Sequence, residues 1–155
     1  MKSMKLETKK IVDAYKILDN AKYQKLSDED KVKLWKISRK LSPIAKKFTE
    51  EAEDAQKKLL PSEDFQDKLQ KALLYEKMLK EDSKEEKPLS NEDYLKIVGD
   101  FKKYNQLVDS ALKELYNKEE TLEIELLSPD AFGKLMASND WTLKQVAQLE
   151  FICDE

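Results

Sequence analysis

Apolar residues recur along this chain at the spacing of helical faces. Ile11, Ala14, Tyr15 and Leu18 share one face of a short helix, with Thr8 as its candidate cap. Leu34, Ile37, Leu41, Ile44 and Phe48 follow at steps of three, four, three and four, and Ala52, Ala55 and Leu59 continue the stripe. The run Leu41–Phe48–Ala52 contains a stutter that relaxes a left-handed supercoil, so the packing expected here is coiled-coil-like but short. Lys33, Lys36, Lys40 and Lys47 form a parallel stripe on another face. Pro43 falls inside this segment. A helix-interior proline costs ~3 kcal/mol, yet the apolar stripe crosses it in phase, which predicts a kink rather than a break.

Phe65, Leu69, Ala72, Leu73 and Leu79 mark a third helix. Residues 80–87 are nearly all charged and end at Pro88, so residues 80–90 are expected to link two helical halves of a single domain, 1–155. A fourth helix is predicted over 91–116, with Tyr94, Val98, Phe101, Val108, Leu112 and Leu115 as one face. Gly99 in its interior costs ~1 kcal/mol relative to alanine, which points to a close packing contact there. Two short helices, 129–137 and 143–152, are expected to close the chain.

The helix starts are written in serine. Ser27, Ser62, Ser90 and Ser128 each precede acidic residues, a hydroxyl to accept from an orphan N–H and carboxylates to oppose the helix dipole. Pro129 adds a proline at the first helical position. Thr142 and Gln145 can form a capping box, with Trp141 and Val146 as a hydrophobic staple.

One segment has a different period. From Thr121 to Leu126, apolar and acidic residues alternate as in a half-buried strand. A strand needs a partner, and Met4 and Leu6, alternating with Lys5 and Glu7, offer the other candidate. The expected fold is therefore mainly α: a long antiparallel helical hairpin or small bundle with a minor two-stranded sheet pairing residues 2–8 with 121–127. Lysines of one strand are expected beside glutamates of the other.

Charge is unevenly spread. Residues 1–48 carry 14 Lys/Arg against 6 Asp/Glu, and residues 49–155 carry 15 against 26. Either the basic first third lies against the acidic remainder, the reading favoured here, or it meets an external polyanion. Arg39 is the only arginine among 29 basic residues. Because bidentate reading of bases and phosphates favours arginine, this weakens sequence-specific DNA recognition.

The chemistry-bearing residues are sparse. The chain has no histidine, one cysteine (Cys153) and two glycines. It offers no zinc set, no glycine-rich phosphate loop and no partner for an internal disulfide. The acidic runs 28–30 and 82–86 lack the spacing of a calcium loop. No cofactor, metal, small-molecule substrate or enzymatic activity is expected. With no apolar run long enough for a membrane span and no signal peptide in the first ten residues, a cytoplasmic location is expected.

Two binding surfaces are candidates. Phe132, Leu135, Met136, Trp141, Phe151 and Ile152 gather apolar bulk near the C-terminus, either as an exposed protein-binding anchor or as a cap on the core. Tyr104, Leu107 and Ala111 pose the same question, with Asn105 a possible polar specifier between them. Lys33, Lys36, Arg39 and Lys40 lie near Tyr15, Tyr23 and Trp35 and could form a nucleic-acid face. Alternatively, Tyr15 and Trp35 pack inside and the lysines only solvate a helix.

The ends of the chain, Met4-Lys5-Leu6 with Ile11…Leu18 and Leu122-Glu123-Ile124-Glu125-Leu126-Leu127…Phe132…Leu135…Trp141-Thr142-Leu143…Leu149…Ile152, together with the helix over 26–48, resemble small phage-encoded, mainly helical proteins of unknown function. The resemblance follows the chain in order but lies in hydrophobic spacing. It implies a viral or prophage origin, in host cytoplasm or virion, and no catalytic residue. The expected function is a non-enzymatic protein-interaction module, a virion or assembly accessory or an inhibitor of a host protein, with self-association through the heptad stripe one route. The alternative is sequence-nonspecific nucleic-acid binding by the basic N-terminal third.

Overall fold

In a computed structural model describing all residues 1–155, Lys2–Glu7 forms strand β1 and Glu119–Ile124 forms strand β2. They pair antiparallel, with Met4 opposite Leu122. The strands stop short of, and start before, the expected 2–8 and 121–127. Thr8 is already helical, Glu119 and Glu120 extend β2 backwards, and Leu127 leaves the sheet to bridge Cys153 in parallel. The expected lysine–glutamate complement does not form between opposite residues. Lys2 faces Ile124, Lys5 faces Thr121, and Glu7 faces Glu119, a like-charge pair. Burial on one face, where Leu122 and Ile124 are both 2 % exposed, fixes this register instead.

Six helices accompany the sheet: α1 (Thr8–Asp19), α2 (Asp28–Lys58), α3 (Phe65–Lys80), α4 (Asn91–Asn117), α5 (Pro129–Ala137) and α6 (Leu143–Leu149), the last followed by a single 3-10 turn, Glu150–Ile152. The fold is mainly α with a minor two-stranded sheet. Three of the serine caps form: the N–H groups of Asp30, Asp93 and Ala131 donate to Ser27, Ser90 and Ser128. Ser62 does not cap. Its hydroxyl donates to Asp64 at 2.6 Å, and α3 starts after Asp64. That bond, together with Lys68 at 3.6 Å, holds the Asp64 carboxyl below its ordinary range. Thr142 and Gln145 make the full capping box.

α2 runs unbroken through Pro43. The missing N–H leaves the Arg39 carbonyl without its helical donor, while Leu34, Ile37, Leu41 and Phe48 stay buried on both sides of it. In-phase burial outweighs the one lost bond.

The residues group into two compact units, Met1–Glu51 with Glu114–Glu155, and Ala52–Lys113. The expected linker, residues 80–90, lies inside the second unit, where it connects α3 to α4. α2 and α4 supply residues to both.

The first unit buries one core. Ile11, Ala14 and Leu18 of α1 meet Leu34, Ile37 and Leu41 of α2, Leu122 and Ile124 of β2, and Leu135 and Leu149 of α5 and α6. Basic N-terminal and acidic C-terminal sequence thus fold together, and Lys33 reaches Glu125 at 3.7 Å. Thr8 does not cap α1. It is the first helical residue, follows Glu7 at the cap position, and bonds the Lys118 carbonyl. Phe48 stacks on Tyr116 with centroids 4.6 Å apart. The chain end is tied in by Leu127, whose N–H donates to Ile152 and whose carbonyl accepts from Asp154.

In the second unit α3 and α4 form an antiparallel hairpin. Phe65 lies by Tyr104, centroids 6.3 Å apart, and Tyr75 by Tyr94 at 4.7 Å. The inner faces differ from the expected stripes. On α3, Phe65, Ala72, Tyr75 and Met78 are buried, whereas Leu73 and Leu79 are exposed. On α4, Ile97 and Val108 are buried, whereas Val98 and Phe101 are exposed. The expected close contact at Gly99 is absent: a Cβ there would meet nothing within 4 Å.

Candidate functional site

The C-terminal apolar cluster is core. Phe132 is 6 % exposed and Leu135 and Ile152 are fully buried, while Met136, Trp141 and Phe151 are half-buried against the same cluster. An anchor patch must be open to a partner, so Phe132, Leu135 and Ile152 close the fold, while Met136, Trp141 and Phe151 each keep part of their surface exposed. α5 and α6 are short helices with one wet face, and their apolar side is what covers α1 and β2. In the heptad stripe, Leu34, Ile37, Leu41 and Phe48 are buried inside the first unit, whereas Ile44, Ala52, Ala55 and Leu59 are half-buried. On α4, Tyr104 donates to the Gln56 carbonyl at 3.2 Å, Leu107 and Asn105 are exposed, and Ala111 is half-buried. Asn105 therefore specifies no apolar seam.

Exposed aromatic surface occurs instead on the outer side of α2. Trp35 is 55 % exposed, Tyr23 52 % and Val32 49 %, while Tyr15 is half-buried against the core. The wheel explains the division. Leu34, Ile37 and Leu41 point inward, so Trp35, placed between Val32 and Arg39 at helical spacing, must point outward. Trp35, Tyr23 and Val32 wall a cleft of about 340 Å³ floored by Leu18 and Leu34, with Lys31 and Ser38 at its edge. The Arg39 guanidinium lies 4.9 Å above the indole, a cation–π contact.

Residues 20–27, the segment joining α1 to α2 and carrying Tyr23, are held from the far side. Asn139 accepts from the Lys22 N–H at 2.8 Å and donates to the Lys22 carbonyl at 2.7 Å and to the Leu135 carbonyl at 2.9 Å. Leu26 is buried beneath. The backbone that carries Tyr23 is thus tied to α5 and its C-terminal end. Tyr23 and Trp35 are legible in the sequence as aromatics near lysines, whereas the cleft is not, because Asn139 and Leu135 enter only through folding.

The four basic candidates are not equivalent. Lys33 is half-buried and paired with Glu125. Lys36, Arg39 and Lys40 are exposed and line a second groove, about 420 Å³, together with Glu123, Ile124 and Glu125. From Lys31 to Thr49, α2 carries seven cations and no carboxylate.

No group of three or more His, Cys, Asp or Glu side chains gathers to hold a metal ion, and no helix is long and apolar enough to cross a membrane. Burial raises the Cys153 thiol above its ordinary range, and the Asp154 and Glu155 carboxylates add to the effect. Less thiolate is then present to react. Comparison of the chain with protein-family models, with curated proteins and with solved structures finds no match.

Proposed function

We propose that this chain is a non-enzymatic protein-interaction module whose working surface is the outer face of α2 around Trp35. The observation that carries the reading is a large aromatic surface left open on a rigid support. Trp35 and Tyr23 are each more than half exposed, on a helix and a segment held in place by Asn139 and Leu26. Folding gives no reason to keep them there. Tryptophan and tyrosine are enriched where binding energy concentrates, because they bury much area with few rotatable bonds. Backbone tied down in this way lowers the ordering cost of association. Placement as a phage virion accessory, or as an inhibitor of a host protein, is supported by the resemblance of the chain ends alone.

A second reading, sequence-nonspecific nucleic-acid binding, draws on Lys36, Arg39 and Lys40, which are exposed and make no salt bridge. One experiment separates the two. Val32→p-benzoylphenylalanine puts a photoreactive ketone at the cleft without touching Trp35 or the cations. Irradiation in the cells that make the protein is expected to give a protease-sensitive adduct with one dominant protein. A nuclease-sensitive adduct would replace this reading with the second, and no adduct above the level of a control position such as Leu143, 88 % exposed and far along the chain, would remove both.

A further inference from the structure

Resting on the reading of the chain as an interaction module, we propose that the cleft beside Trp35 takes an acidic peptide segment of its partner, seating one branched or aromatic side chain between Tyr23, Val32 and Trp35.

The shape of the cleft favours a side chain over a planar base. Its floor and one wall are aliphatic, from Leu18, Leu34 and Val32, and its volume of about 340 Å³ is of the size that one or two large side chains fill. Bases stack on an open aromatic face, and one face of the Trp35 indole is already occupied by Arg39. On the neighbouring groove Glu123 and Glu125 stand among Lys36 and Lys40, which interrupts any continuous track for phosphates.

Two cations border the apolar slot: Lys31 stands at the cleft edge, and Arg39 lies across the indole that walls it. Lys31 approaches Asp28 only at 4.0 Å, with Asp28 fully open to water, a pair worth little that a partner carboxylate can displace. Arg39 makes no salt bridge and keeps its planar fork free for a bidentate carboxylate. Cations around an apolar slot are complementary to carboxylates flanking an apolar side chain. That arrangement steers encounter and excludes basic partners.

The test uses the full chain and a fluorescein-labelled peptide in which a central Leu-Phe pair is flanked by glutamates, read by anisotropy at moderate salt. Its controls are the same peptide with lysine for glutamate and a thymidine oligonucleotide of equal length. Saturable binding of the acidic peptide alone is expected, weakened at least about tenfold by Trp35→Ala and also by Lys31→Glu with Arg39→Glu. Circular dichroism confirms that these surface variants remain folded. The inference is overturned by no saturable binding of the acidic peptide, by equal binding of the lysine peptide, by indifference to Trp35→Ala, or by an oligonucleotide that binds more tightly through the same residues. A protein adduct at position 32 alongside a failed peptide would remove this inference and leave the interaction-module reading standing. No protein adduct would remove the reading itself.

Discussion

Thr8 donates both its backbone N–H and its hydroxyl to the carbonyl oxygen of Lys118, at 2.8 and 2.7 Å, across 110 positions of sequence. The contact sits where β1 turns into α1 and α4 hands over to β2. One carbonyl thus receives the first orphan donor of α1 and a side chain that would otherwise be buried without a partner, for Thr8 is only 5 % exposed.

Thr8→Val keeps the shape and the backbone bond but deletes the hydroxyl. The expected loss is about 1 kcal/mol, the net worth of one hydrogen bond, because the Lys118 carbonyl still has the amide donor. Thr8→Ala should cost more, since it also removes buried methyl contact. Urea unfolding followed by the two tryptophans measures both. Equal stability of wild type and Thr8→Val would show the hydroxyl to be idle.

Gly99 faces open space in the middle of a 27-residue helix, and its φ is negative. Gly99→Ala should therefore stabilise the second unit by about 0.5–1 kcal/mol, by lowering the entropy of the unfolded chain and raising helix propensity. Thermal denaturation monitored by circular dichroism gives the sign directly. A lower midpoint would mean that the added methyl meets a neighbour in the folded chain and would refute the open space at this position.

How much of this was legible in the sequence depends on whether a residue's fate is local. Capping is local, and Ser27, Ser90, Ser128 and Thr142 were readable as written. The strand pair was readable because apolar and acidic residues alternate from Thr121 to Leu126, four of them in β2, and the segment needed only one partner. Which face of a helix turns inward is a tertiary matter. On α4, Val98 and Phe101 belong to an apolar arc wide enough for two choices, and docking of α3 through Tyr75 and Tyr94 selected the side centred on Ile97 and Val108. The same limit hid the candidate site. Trp35 carries no local mark of exposure; it is outside because Leu34, Ile37 and Leu41 are inside.

Tyr94 donates its phenol to the Glu76 carboxylate. That bond raises the phenol above its ordinary pKa of ten, with desolvation and the Glu76 charge acting in the same direction. A folded-state pKa above the unfolded one means that the native chain holds the proton more tightly. The stabilisation is fully present below about pH 10 and is lost as pH rises through the folded value. Absorbance at 295 nm should show a tyrosine step displaced to high pH, and Tyr94→Phe should remove it. The alkaline fall in stability should be shallower in Tyr94→Phe than in wild type, and parallel curves would refute the link.

The same chemical change at two aromatic positions separates core from surface. Phe132→Asp places a carboxylate among Leu135, Leu149 and Ile152, all fully buried. An ionised group there has no cation to pair with, so the chain must either protonate it or open, a cost of several kcal/mol on a stability of only about 5–15 kcal/mol. Trp35→Asp leaves its carboxylate in water. The change forfeits one cation–π contact with Arg39, about 0.5–1 kcal/mol at an exposed site, and gains a charge of opposite sign at the same spacing. Thermal melts should therefore drop sharply for the first variant and move little for the second. A C-terminal cluster that were the docking patch would give the reverse order, with Phe132→Asp folded and well behaved and the loss confined to binding.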